Sequence, residues 1–117
     1  MDKPLNRRET LVIVAEFSAR PGMEDVLRDV TVPLAEKARH EPDILLFLVN
    51  EGRERQGHFI LYEVYASRSA FEEHVAKPHV RKWFERLAEL AIDEPRIVRM
   101  GLLATFIAPI EFRKERG

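Results

Sequence analysis

Residues 11–17, Leu-Val-Ile-Val-Ala-Glu-Phe, form a short β-branched run closed by Arg20-Pro21-Gly22, which predicts a strand ending in a turn. From residue 23 to about 39 the period changes. Val26, Leu27, Val30, Leu34, Ala35 and Ala38 recur at helical spacing, with Glu24 and Asp25 early and Lys37, Arg39 and His40 late. That charge order complements a helix dipole and predicts a first helix, bent at Pro33. Glu41-Pro42-Asp43 ends it, and the apolar run 44–49 predicts a second strand. A charged, glycine-containing loop, 50–57, leads into a third strand over 58–65, as in a hairpin. Ser67 or Ser69 can cap the next helix, Glu72 standing where a capping box with Ser69 requires it. Pro78 divides that helix into a short segment, 70–76, and a longer one carrying Val80, Trp83, Phe84, Leu87 and Leu90. Pro95 precedes a fourth strand over 96–103. A polar lead (1–10) and an extension (105–117) flank the expected domain, 11–104.

The order β-α-β-β-α-β predicts an α+β, ferredoxin-like fold, a four-stranded antiparallel sheet with both helices on one face. A sheet wet on one side alternates apolar and polar residues along its strands. Here 11–15 and 44–49 are apolar on both faces. The helices cover one face, so the other is expected to pack on a second copy, making a homodimer through the open sheet face.

Composition narrows the function classes. At 117 residues the chain is expected to be one domain, and nineteen Lys+Arg against twenty Asp+Glu give a net charge of −1. No global field is then available to hold nucleic acid or an anionic membrane. The basic stretch Lys77, Arg81, Lys82, Arg86 is interleaved with Glu85 and Glu89 and reads as a solvated helix face. The absence of cysteine excludes disulfides, thiolate metal sites, Fe–S clusters and a cysteine nucleophile. No apolar stretch approaches the roughly 20 residues of a membrane span, and the lead has no signal-peptide core, so a soluble, cytoplasmic protein is expected. A metal site is not expected: His74 and His79, five apart, lie about 140° around a helix, and His40 and His58 sit on distant loops.

Tyr62-Glu63-Val64-Tyr65 followed by Ser67-x-x-Ala70-Phe71-x-x-His74-x-x-x-Pro78-His79, with the Arg20-Pro21-Gly22 turn and the Glu41-Pro42 break, resembles the antibiotic biosynthesis monooxygenase family of dimeric α/β barrels, quinol monooxygenases among them. Asp43 departs from that pattern, which often has glycine there. The resemblance implies a cofactor-independent monooxygenase, using no metal, flavin or haem, that oxidises a quinol-like or polyphenolic aromatic with molecular oxygen. The substrate anion would supply the electrons, and the protein a base, hydrogen bonds to the oxyanion and a dry pocket. Two other readings stay open: a non-catalytic small-molecule-binding or stress-related protein of the same architecture, and a cofactor-free isomerase abstracting a proton beside a carbonyl. The haem-degrading branch is disfavoured by Ala15, Tyr65 and Phe84 at its functional positions, and the sugar-phosphate isomerase branch by Ala35.

His74 is the candidate base, since imidazole titrates near neutrality and the resemblance places it over the cavity; a buried histidine on the Ala70 and Phe71 face is the structural alternative. Glu63 shares strand parity with Leu61 and Tyr65. It could orient His74, act as base, or pair with an arginine such as Arg99. Tyr65 could donate to a substrate oxygen. Trp83, Phe84 and Leu61 could wall an aromatic ring, though the spacing of Trp83 and Phe84 is also that of a core stripe. His79 reads as a capping or surface residue. Residues 106–110 of the tail would lie across a partner or close the pocket.

Overall fold

The computed structural model describes residues 8–106. Along the chain run β1 (Leu11–Ser18), α1 (Glu24–Thr31), α2 (Pro33–Ala38), β2 (Ile44–Glu51), β3 (His58–Tyr65), α3 (Arg68–Ala76), α4 (Pro78–Leu90) and β4 (Arg96–Gly101). The strands pair antiparallel in the order β2-β3-β1-β4. This is the ferredoxin-like arrangement that the element order predicts.

Local chemistry explains where the elements depart from expectation. The bent helix over 23–39 is in fact two, α1 stopping at Thr31 and α2 restarting at Pro33. Proline lacks an N–H and its ring clashes with the preceding turn, so the bend becomes a break and Pro33 sits where a missing donor costs nothing. Pro78 does the same between α3 and α4. β4 ends at Gly101, two residues short of the expected strand. The capping box with Ser69 does not form: Ser67, extended at φ −157° and ψ 166°, is the cap, its Oγ accepting from the Ala70 N–H at 3.2 Å. Glu72 instead accepts from Arg68 Nε at 3.0 Å. Ser67→Ala is expected to cost about 1 kcal/mol, read as a shift in the denaturant midpoint, because it frees the first turn of the helix that carries His74.

Strand alternation sends Ala15, Phe17, Phe59 and Leu61 toward the helices, where they meet Leu27, Leu34, Val80, Trp83 and Leu87 in the main core. Phe17 stacks on Phe59 at 5.6 Å and meets Trp83 edge-on at 5.5 Å. The Trp83 Nε1–H, buried with the ring, donates to Thr31 Oγ1 at 3.0 Å, which joins α4 to α1. A second cluster gathers Ile13, Tyr65 and Ala70, with Phe71 against it.

The opposite face carries no helix. One row across it reads Val98, Val14, Tyr62, Leu48, and the next Met100, Val12, Val64, Leu46. Leu48, Tyr62, Val98 and Met100 are 38–40% exposed. Beyond them the face turns polar, with Arg96, Glu16, Ile60 and Asn50 in register. Of the apolar tail, Phe106 is 90% exposed, and residues 107–110 lie outside the described residues.

Candidate functional site

On the helix-facing side, one row of the sheet reads Phe47, Glu63, Ile13, Arg99. An acid and a base thus flank a central isoleucine beneath α3 and α4. Above Glu63 lies a small chamber, about 40 Å³, walled by Leu61, Glu63, His74, Trp83, Phe84 and Ile97 among others. At about 10–15 Å³ each it has room for roughly three waters. Its walls are apolar apart from Glu63 and His74. Five of the residues singled out in the sequence (Leu61, Glu63, His74, Trp83 and Phe84) therefore share one space.

The sixth, Tyr65, does not reach it. Tyr65 is fully buried and its hydroxyl donates to Glu63 Oε1. Side chains two apart on a strand share a face, and here they bond to one another. The expected donor to substrate is thus a support for the carboxylate. Burial first, and then the neighbouring Glu63 charge, push the Tyr65 phenol far above its ordinary acidity range.

Glu63 is 6% exposed. The ion pair considered with Arg99 is not made: the Arg99 guanidinium stacks over the Phe71 ring, 5.6 Å from its centroid. Without a cation to offset desolvation, burial raises the Glu63 pKa to about 7, against the opposing Tyr65 hydrogen bond. The folded state therefore holds this proton where the unfolded chain has released it. Stability from this group falls as pH rises from about 4.5 to about 7 and stays low above that. Glu63→Gln, which cannot ionise, is expected to flatten the dependence. Relative to wild type it gains up to about 3 kcal/mol between pH 4.5 and pH 8, measured by urea unfolding at the two pH values.

His74, on the last turn of α3, is 3% exposed, with Nδ1 2.9 Å from Glu41 Oε2. A carboxylate only accepts, so the neutral ring carries its proton on Nδ1 and keeps Nε2 as an acceptor. The ring is packed by Phe47 at 5.6 Å and Tyr65 at 5.7 Å. Glu41 is the residue of the candidate site that sequence reasoning missed, since it lies in a helix-ending Glu-Pro step 33 positions away. Its only sequence signal is a carboxylate in the turn that precedes β2.

His79 is neither a cap nor a free surface group. It makes no capping bond, its ring lies 6.4 Å from that of His74, and its Nε2 is buried without a partner. Burial, then Lys37, lower its pKa and favour the neutral ring. Among the described residues no group of three or more His, Cys, Asp or Glu side chains could hold a metal ion, and no helix is long and apolar enough to cross a membrane.

A family model described as antibiotic biosynthesis monooxygenase matches residues 10–86. Among solved structures, Rv0793 of Mycobacterium tuberculosis superposes with a TM-score of 0.76 at 24% identity, over 82% of this chain and 97% of that one. A Deinococcus radiodurans protein that carries the same family name superposes at 0.75 and 26% identity, over 84% and 97%. PA3566 of Pseudomonas aeruginosa superposes at 0.78 and 20% identity, over 87% and 100%. No curated protein matches the chain significantly.

Proposed function

The chain belongs to the antibiotic biosynthesis monooxygenase family, and from that premise we propose that it oxidises a quinol-like aromatic with molecular oxygen, without a cofactor. The observation that carries this reading is the Glu41–His74 pair at 2.9 Å, with His74 and Glu63 the only polar groups among the described residues of an otherwise apolar chamber wall.

His74 Nε2 takes the hydroxyl proton of the quinol, and Glu41 stabilises the imidazolium that forms. The resulting anion passes one electron to oxygen, a step the neutral quinol makes poorly. The semiquinone and superoxide combine at a ring carbon, and the proton held on His74 passes to the outer peroxide oxygen, giving a hydroperoxide and restoring the neutral base. Loss of water leaves the quinone carrying one new oxygen, so that one hydroquinone and one O₂ become one hydroxyquinone and one H₂O. Glu63 in its protonated form, with the carboxyl placed by Tyr65, donates to the departing hydroxide. Low polarity keeps the anion reactive and suppresses leakage of superoxide.

A ring does not fit in 40 Å³. Phe84 and Ile97, which are 38% and 44% exposed, are the chamber walls free to swing outward for it. The exposed apolar residues of the helix-free face, Leu48, Tyr62, Val98 and Met100, form the self-complementary surface of a homodimer, leaving each chamber on the outside of the assembly.

An oxygen electrode with a panel of hydroquinones tests the reading. Oxygen uptake matched one-to-one by quinone absorbance is expected. Turnover that persists without oxygen points to the isomerase, and tight aromatic binding with no uptake to the non-catalytic binder; either result overturns the proposal.

A further inference from the structure

Beside the chamber, on the far side of Phe71, lies a larger groove of about 680 Å³ between α3 and the β1–β4 edge. Phe71 and Val75 line both spaces, so the two adjoin across this pair of apolar residues. The groove carries Arg8, Arg68 and Arg99 against Glu9 and Glu72. Arg68 is engaged by Glu72 at 3.0 Å. Arg99 has no carboxylate partner among the described residues, and its guanidinium lies over the face of Phe71. A guanidinium stacked on a ring keeps the N–H fork at its rim available for a planar anion.

The register gives the distance. Arg99 and Glu63 both pair with Ile13, from opposite sides and on the same face. They are two strand spacings apart, roughly 10 Å between Cα atoms. Two ring contacts bridge that gap: Arg99 on Phe71, and Phe71 against Tyr65 at 5.2 Å, whose hydroxyl is held by Glu63. A molecule about one substituted ring long spans it. The chamber cannot take such a ring alone, and the adjoining groove supplies the remaining volume.

We propose that the substrate is an aromatic carrying a carboxylate, its anionic group held by the Arg99 guanidinium in the groove and its hydroxyl directed past Phe71 to the chamber. This specifies the substrate class of the site assigned above and rests on that reading for the chemistry, though not for the binding. Opposite charges at the two ends fix one orientation: the carboxylate is held by Arg99 and repelled from the Glu41 carboxylate beside His74, which turns the hydroxyl toward His74.

The test compares 2,5-dihydroxybenzoate with its methyl ester, alike except for the charge, by isothermal titration calorimetry without turnover. At least tenfold tighter binding of the acid is expected. In Arg99→Gln the acid falls to the affinity of the ester, Arg99→Lys restores part of the difference, and Arg96→Gln, on the same strand but outside the groove, leaves it intact. Equal affinity of acid and ester, no binding of either, or a preference that survives in Arg99→Gln overturns the assignment. Hydroquinone-driven oxygen uptake without acid preference sinks only this inference; acid preference without uptake of oxygen sinks only the monooxygenase.

Discussion

Quinol-dependent oxygen uptake is expected to fall by about 10²- to 10⁴-fold in kcat when His74 is replaced by glutamine, the range over which a positioned general base acts. Glutamine keeps hydrogen-bonding capacity and approximate volume, so the packing against Phe47 and Tyr65 is spared while the basic nitrogen is lost. Glu41→Gln separates orientation from basicity. An amide facing Nδ1 can donate to it, which puts the ring proton on Nε2 and leaves no acceptor toward the chamber. Its kcat is therefore expected to fall by about 10²-fold, with KM little changed, although Glu41 itself does not line the chamber. The pH profile supplies a second readout. If Glu63 is the acid, activity declines as that group, with its pKa raised to about 7, gives up its proton. Glu63→Gln is expected to remove the alkaline decline and lower the maximum. Unchanged rates in both His74→Gln and Glu41→Gln would place the base elsewhere.

How far these residues could be read from the sequence depends on the range of the interaction that places them. Element order, the break at Pro78, and the shared face of Leu61, Glu63 and Tyr65 follow from local chemistry and are legible, whereas Pro33 was legible only as a bend and proved to be a full break. Strand parity put Tyr65 on the same face as Glu63 but carried no information on what its hydroxyl would meet; the acceptor proved to be Glu63 itself. The choice of Ser67 over Ser69 as cap turned on backbone angles within one turn, which both serines satisfied as residue types. Glu41 and His74 meet only because the α2–β2 connection passes beside the end of α3, a tertiary coincidence with no periodic trace. The chamber's small volume was also hidden, since it depends on how Trp83, Phe84, Phe71 and Phe47 share the space that the sheet and helices enclose.

The proposed assembly predicts a second large effect, at Val14. This residue lies between Tyr62 and Val98 in the row that Leu48 completes, on a central strand of the helix-free face. In one chain it is half-buried, so Val14→Asp leaves its carboxylate in water and costs the fold about 1 kcal/mol in strand preference. In a two-fold dimer the same substitution occurs twice in one apolar patch, and each charge loses its water for several kcal/mol without a partner. The dissociation constant is expected to rise by about 10³-fold or more, so that light scattering at micromolar concentration reports a monomer where wild type is a dimer. A monomeric wild type, or a dimeric Val14→Asp, would remove the open face as the interface. Glu41, Glu63 and His74 lie with the helices, on the other side of the sheet from Val14. A change in oxygen uptake in this variant would therefore report what the second copy contributes to the chamber, through the strands and not through the base.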